Sequence, residues 1–67
     1  MPVITMEAGT MNKEQKEALI QRFTATASEI LQLPEQAFVV VLKENHPDNI
    51  GTGGKMLSKV IAARSQG

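Results

Sequence analysis

The chain has no cysteine, no tryptophan and no tyrosine, and among its 67 residues it holds a single histidine and two phenylalanines. Without cysteine there are neither disulfides nor thiolate metal sites, and one histidine cannot build a histidine-rich metal cluster. Seven basic and seven acidic side chains cancel to a net charge of zero. With neither a basic excess nor an aromatic platform, nucleic acid is excluded as the expected partner. The longest apolar run, AFVVVL from Ala37 to Leu42, falls far short of the roughly 20 residues that span a bilayer. The amino terminus also lacks the basic-then-apolar pattern of a secretory signal. A soluble cytoplasmic protein is the expectation.

A chain of 67 residues forms one domain, 1–67, and a domain of this size buries only about 60% of the surface its unfolded chain exposes. With disulfides and metals excluded, oligomerisation is the remaining way to stabilise it.

From Pro2 to Met6 the chain is mostly apolar and then meets Ala8-Gly9-Thr10, which reads as a short strand entering a turn. Asn12 with Gln15 three residues on has the spacing of a capping box, so a helix begins there. Leu19, Ile20, Phe23, Ala27, Ile30 and Leu31 recur at helical spacing on an otherwise polar segment, giving one apolar stripe. Lys13, Glu14, Lys16, Glu17, Gln21 and Arg22 read as its solvated face. Pro34 ends the helix near Gln32, because proline disfavours the α conformation at the residue before it. The unbroken, β-branched stretch Ala37 to Glu44 then reads as a strand apolar on both faces. Strand, long helix and strand make a βαβ unit with its two strands parallel.

A single helix covers one face of such a sheet, and the second strand leaves apolar side chains on the other. Either another chain covers that face, or the carboxy-terminal segment folds back over it. That segment is short and has few large apolar residues, so an obligate oligomer is the expectation.

Asn45 to Asn49 is a cluster of turn formers, and Gly51-Thr52-Gly53-Gly54 follows Ile50. GTGGK invites a phosphate-cradle reading, but a P-loop requires glycine at 49 and a hydroxyl residue at 56, where Asn49 and Met56 stand. A tight bend using positive φ fits better. The final segment, KMLSKVIAARSQG, reads as a short returning strand or as an arm lying on a neighbour, with frayed last residues. His46 is the one side chain that titrates near neutrality unperturbed, as a solvated loop residue or as an acid or base. The four methionines read as adaptable packing residues.

Pro2 directly follows the initiator methionine. A proline at an unpaired strand end is structurally neutral. Methionine is commonly trimmed before so small a residue, however, and trimming leaves Pro2 with a free secondary amine. A terminal amine has an ordinary pKa of about 7.7 to 8.0, and an apolar pocket lowers it by disfavouring the charged form. Such a group is a general base near neutrality.

Pro2 heading the first strand, EQKEALI at Glu14 to Ile20, the Pro34 break, FVVVLKE, and IGTGGKMLSKV at Ile50 to Val60 together resemble the 4-oxalocrotonate tautomerase family over nearly the whole chain. The resemblance implies an α+β fold: a small βαβ subunit with two parallel strands, one long helix and a C-terminal glycine-rich hairpin, assembled into a homohexamer or related oligomer. It implies a cofactor-independent isomerase in which the Pro2 nitrogen takes a proton from an enol or activated carbon and returns it elsewhere, giving the keto isomer. The implied substrate is a small enol or 2-hydroxydienoate. The family's substrate-binding positions fall on Met11 (Thr10 if the loop gap is placed differently), Val39 and Ile50. Where well-known members hold dicarboxylates with two arginines, this chain has Met11 and Val39, and where they set an aromatic wall it has Ile50. The expected pocket is apolar and short of cations. Lys43, on the Val39 face of the strand, is the nearest source of electrophilic help, or simply a solvated strand-end lysine. A less charged substrate, such as an aryl enolpyruvate, also fits. So does a non-catalytic or partner subunit in a hetero-oligomer whose other chain brings the arginines.

Overall fold

A computed structural model describes residues 1–65. Strand β1 (Val3–Ala8) leads into helix α1 (Lys13–Leu31), a 3-10 turn (Glu35–Ala37) and strand β2 (Val39–Glu44). A second 3-10 turn (Pro47–Asn49), the two-residue strands β3 (Gly51–Thr52) and β4 (Lys55–Met56), and helix α2 (Leu57–Ser65) complete the chain.

β1 and β2 pair in parallel, from Val3 opposite Val39 to Ala8 opposite Glu44. The first strand runs two residues past the predicted end at Met6, because Glu7 and Ala8 find partners in Lys43 and Glu44. The second begins at Val39 rather than Ala37. Pro34 opens a 3-10 turn instead, closed by N–H groups of Ala37 and Phe38 donating to Pro34 and Glu35 carbonyls.

The helix begins where its local chemistry dictates. Asn12 accepts from the Gln15 N–H at 2.8 Å while Gln15 accepts from the Asn12 N–H at 3.0 Å, satisfying two donors left orphaned by the helix start. Replacing Asn12 with alanine is expected to cost about 1 kcal/mol, read as a lower denaturant midpoint at matched protein concentration. At the other end Gln32 takes the left-handed conformation, φ 56°, and its N–H donates to Ser28, so the chain turns out of the helix before Pro34.

The carboxy-terminal segment returns as the predicted short strand and then, unlike the expectation, winds into α2. Leu57, Val60 and Ile61 hold the i, i+3, i+4 spacing of a helix, and Ala62 and Ala63 favour it. The expected fraying concerned in part Gln66 and Gly67, which lie outside the described residues. The GTGGK glycines make the predicted bend: Gly53 and Gly54, at φ 60° and 80°, join β3 to β4 with the backbone signs of a type I′ turn.

Along both sheet strands exposure alternates. Ile4, Met6, Ala8, Val40 and Leu42 are half-buried, while Val3, Thr5, Glu7, Val39, Val41 and Lys43 are exposed. α1 packs on β2, whereas α2 packs on the Pro47–Asn49 turn and β4. The described part of the carboxy-terminal arm therefore packs on that turn and hairpin rather than on the open sheet face. None of the described residues is buried. The radius of gyration is 15.8 Å, with extents of 45 × 24 × 16 Å, against about 11 Å for a compact chain of this length. An accessible surface of 5302 Å² likewise exceeds the about 4,200 Å² of a typical folded monomer of this mass. These dimensions describe a subunit that requires neighbours to acquire a core.

Candidate active site

Pro2 stands half-buried at the head of β1, and its carbonyl accepts the Val39 N–H at 3.0 Å. That bond extends the parallel ladder by one step and fixes residue 2 through its carbonyl, while the proline nitrogen has no proton to contribute to the sheet. Pro2 and Val39 are thus neighbours within one chain. Met1 is 89% exposed and accessible to trimming. While it remains attached, the Pro2 nitrogen is an amide without basicity.

The other sequence-predicted residues lie elsewhere. β1 spans six residues at about 3.3 Å each, which puts Met11 at the opposite end of the sheet, about 20 Å from Pro2. Lys43 sits on the open face in register with Glu7, four residues along β2 from Val39, or about 13 Å. Its ammonium makes no ion pair among the described residues. Ile50 closes the second 3-10 turn, and its carbonyl accepts the Leu57 N–H at 2.8 Å. It lines a shallow groove of about 410 Å³ with Asp48, Lys55 and Met56. One chain therefore joins Pro2 to Val39 and holds Met11 and Lys43 apart from them.

At the Met11 end, Glu44 ties three elements together. Its carboxylate accepts the Met11 N–H at 2.8 Å and the Lys16 ammonium at 2.5 Å, so the loop after β1, the start of α1 and the end of β2 share one anchor. The hydrogen bond from Lys16, then that from Met11, holds the Glu44 carboxyl below the ordinary value of 4.5. A depressed folded-state value stabilises the protein above pH 4.5, and that stabilisation is lost as pH falls below it toward the folded-state value. Glu44→Gln is expected to flatten this part of the acid limb in denaturation curves taken from pH 6 downward, with the wild-type and variant curves converging at the acid end. Met11 and Thr10 border a groove of about 390 Å³ on the flank of α1, together with Gln15, Ala18, Leu19 and Arg22. A wider groove, about 730 Å³, runs along α2 between Lys55, Met56, Lys59 and Arg64 and contains none of the predicted site residues.

His46 acts as a turn cap. Its Nδ1 accepts the Asp48 N–H at 3.1 Å, and the ring is well exposed, in keeping with the loop reading. Among the described residues no group of three or more His, Cys, Asp or Glu side chains gathers at one place, and no helix is long and apolar enough to cross a membrane.

The family model described as "Tautomerase enzyme" matches residues 3–60. The chain belongs to the tautomerase family. A probable tautomerase of Halalkalibacterium halodurans is 36% identical over 59 residues, 87% of this chain and 97% of that protein. A probable tautomerase of Bacillus cereus is 37% identical over the same shares. Among solved structures, apo unfused 4-oxalocrotonate tautomerase superposes with a TM-score of 0.81 at 33% identity, covering 88% of this chain and 98% of the other. TomN, a 4-oxalocrotonate tautomerase homologue of the tomaymycin biosynthetic pathway, reaches 0.86 at 27% identity over 91% and 95%. The βαβ unit with its antiparallel carboxy-terminal hairpin is the tautomerase fold of these neighbours. Membership supports tautomerase, that is isomerase, chemistry for this chain.

Sequence reading did not single out two residues of this region. Glu44 and Met11 are 33 positions apart, and nothing local in either segment announces their contact. Arg22 read as one more solvated charge of the helix. The lack of an acidic residue three or four positions away, with Ala18, Leu19, Ala25 and Thr26 there instead, was the available signal.

Proposed function

We propose that the mature protein is a cytoplasmic, cofactor-independent isomerase that interconverts the enol or 2-hydroxydienoate and keto forms of a small carboxylate. Pro2 is its general base. The observation that carries this reading is the attachment of Pro2 to the sheet through its carbonyl alone, which leaves the nitrogen of a trimmed chain fixed in position yet unused by the ladder. That nitrogen takes the enol hydroxyl proton as the carbonyl forms, and the resulting ammonium delivers a proton to carbon, so no net proton is gained or lost. The working unit is a homohexamer or related assembly, in keeping with the exposed Val3, Val39 and Val41 of the open face. Substrate-binding roles for Met11, Val39 and Ile50, and electrophilic help from Lys43, belong to the same reading.

A second reading, a partner subunit without its own turnover, is favoured by one observation: neither Met11 nor Val39 supplies a cation where the family's carboxylate ligands stand. The deciding experiment combines intact mass with an enol-to-keto assay on a 2-hydroxydienoate and an aryl enolpyruvate. A mass lacking one methionine together with turnover supports the isomerase. A retained methionine, or a processed but inactive protein, favours the partner subunit.

A further inference from the structure

We infer that Arg22 is the carboxylate-holding, specificity-determining residue of the Met11 groove, and that the groove takes a monocarboxylate with a flat apolar body. The inference rests on the isomerase reading for what the ligand becomes, but not for the fact that it binds. Arg22 lines the groove with Thr10, Met11, Gln15, Ala18 and Leu19, and no acidic side chain is among them. Its guanidinium has no ion-pair or hydrogen-bond partner among the described residues. The helix supplies none, since the positions three and four away are Ala18, Leu19, Ala25 and Thr26.

Apart from the Thr10 hydroxyl, the other polar groups near the groove are already engaged. Lys16 and the Met11 N–H are bound to Glu44, and Gln15 closes the capping box. Arg22 is therefore the cation left over. A guanidinium presents paired donors that match a carboxylate bidentately. Met11, Ala18 and Leu19 supply an apolar wall, with the unbranched methionine able to adapt to different ring shapes. A volume of about 390 Å³ lies at the small end of ligand pockets, which fits one ring and a short acid chain. The Met11 end of the groove is about 20 Å from Pro2 along β1, and α1 carries the Arg22 end back along the sheet.

The test titrates trans-cinnamate, and cinnamyl alcohol as its uncharged counterpart, into the full-length, methionine-trimmed protein while the backbone amide resonances of Met11, Ala18 and Leu19 are followed by NMR, with the Arg22 side-chain resonance followed as well in the wild type. Arg22→Ala is expected to weaken cinnamate binding about 10- to 100-fold and to leave cinnamyl alcohol within about twofold. Arg22→Lys is expected to fall between, since an ammonium keeps the charge and loses the fork. Equal cinnamate affinity in wild type and Arg22→Ala, no measurable cinnamate binding, or parallel loss of both ligands overturns the inference. Aryl enolpyruvate turnover is measured on the same samples. Arg22-dependent cinnamate binding without turnover sinks the isomerase reading alone, whereas turnover with Arg22-independent binding sinks this inference alone.

Discussion

Pro2→Ala is expected to lower kcat for enol-to-keto conversion by about 10²- to 10⁴-fold, the range lost when a positioned general base is removed. Alanine is also small enough for methionine trimming, so the variant retains an amino-terminal amine. It loses the secondary amine and the ring that ties the nitrogen to the side chain. The Pro2 carbonyl that accepts the Val39 N–H is a backbone group, and alanine keeps it. Assembly and thermal stability should accordingly match wild type while turnover falls. A variant that turns over at the wild-type rate would show that the base lies elsewhere. A protein that keeps Met1, prepared by blocking its removal, should be as inactive as the variant because its residue 2 nitrogen is an amide.

Val41→Lys is expected to abolish the proposed assembly and, with it, cooperative folding. Val41 lies in the middle of β2 on the open face, 38% exposed, beside Val39 and opposite Thr5. Covering a valine contributes about 1.5–3 kcal/mol, and an oligomer repeats that contribution in every copy. An unpaired ammonium at the same place reverses it, since burying a lone charge is costly. With no buried residue among those described, a released subunit has little to hold it together. The expected result is a loss of sedimentation coefficient together with helical circular dichroism, whereas Val41→Ala should keep both with a lower midpoint. The wild-type midpoint should itself rise with protein concentration, as it does wherever association and folding are linked. A Val41→Lys protein of unchanged size and midpoint would mean that another surface holds the assembly.

The parts of the fold legible in the sequence are those fixed by neighbours in the chain. Asn12 and Gln15 satisfy each other across three positions, Pro34 acts on the residue before it, and Gly53 and Gly54 set the hairpin by their own φ values. Boundaries fixed across the fold were displaced. β1 continues through Glu7 and Ala8 because β2 is there to pair with them, which no property of those two residues predicts. α2 escaped notice because a nine-residue helix gives little more than two turns of periodicity. The candidate site divides in the same way. That Pro2 heads the first strand was legible from its place in the chain, and the want of arginine at 11 and 39 from two letters of the sequence. That Glu44 would anchor Met11, and that Pro2 and Met11 would stand at opposite ends of one strand, required the three-dimensional register.

That opposition has a genetic consequence. In the proposed assembly a site that joins a proline nitrogen to the Met11 end of a groove takes them from two subunits, since within one chain they stand at opposite ends of β1. A lesion near residue 2 and a lesion near residue 11 would injure different halves of each contact. Harm is then shared among the subunits of a mixed assembly, and selection acts on the junction between copies rather than on the single polypeptide.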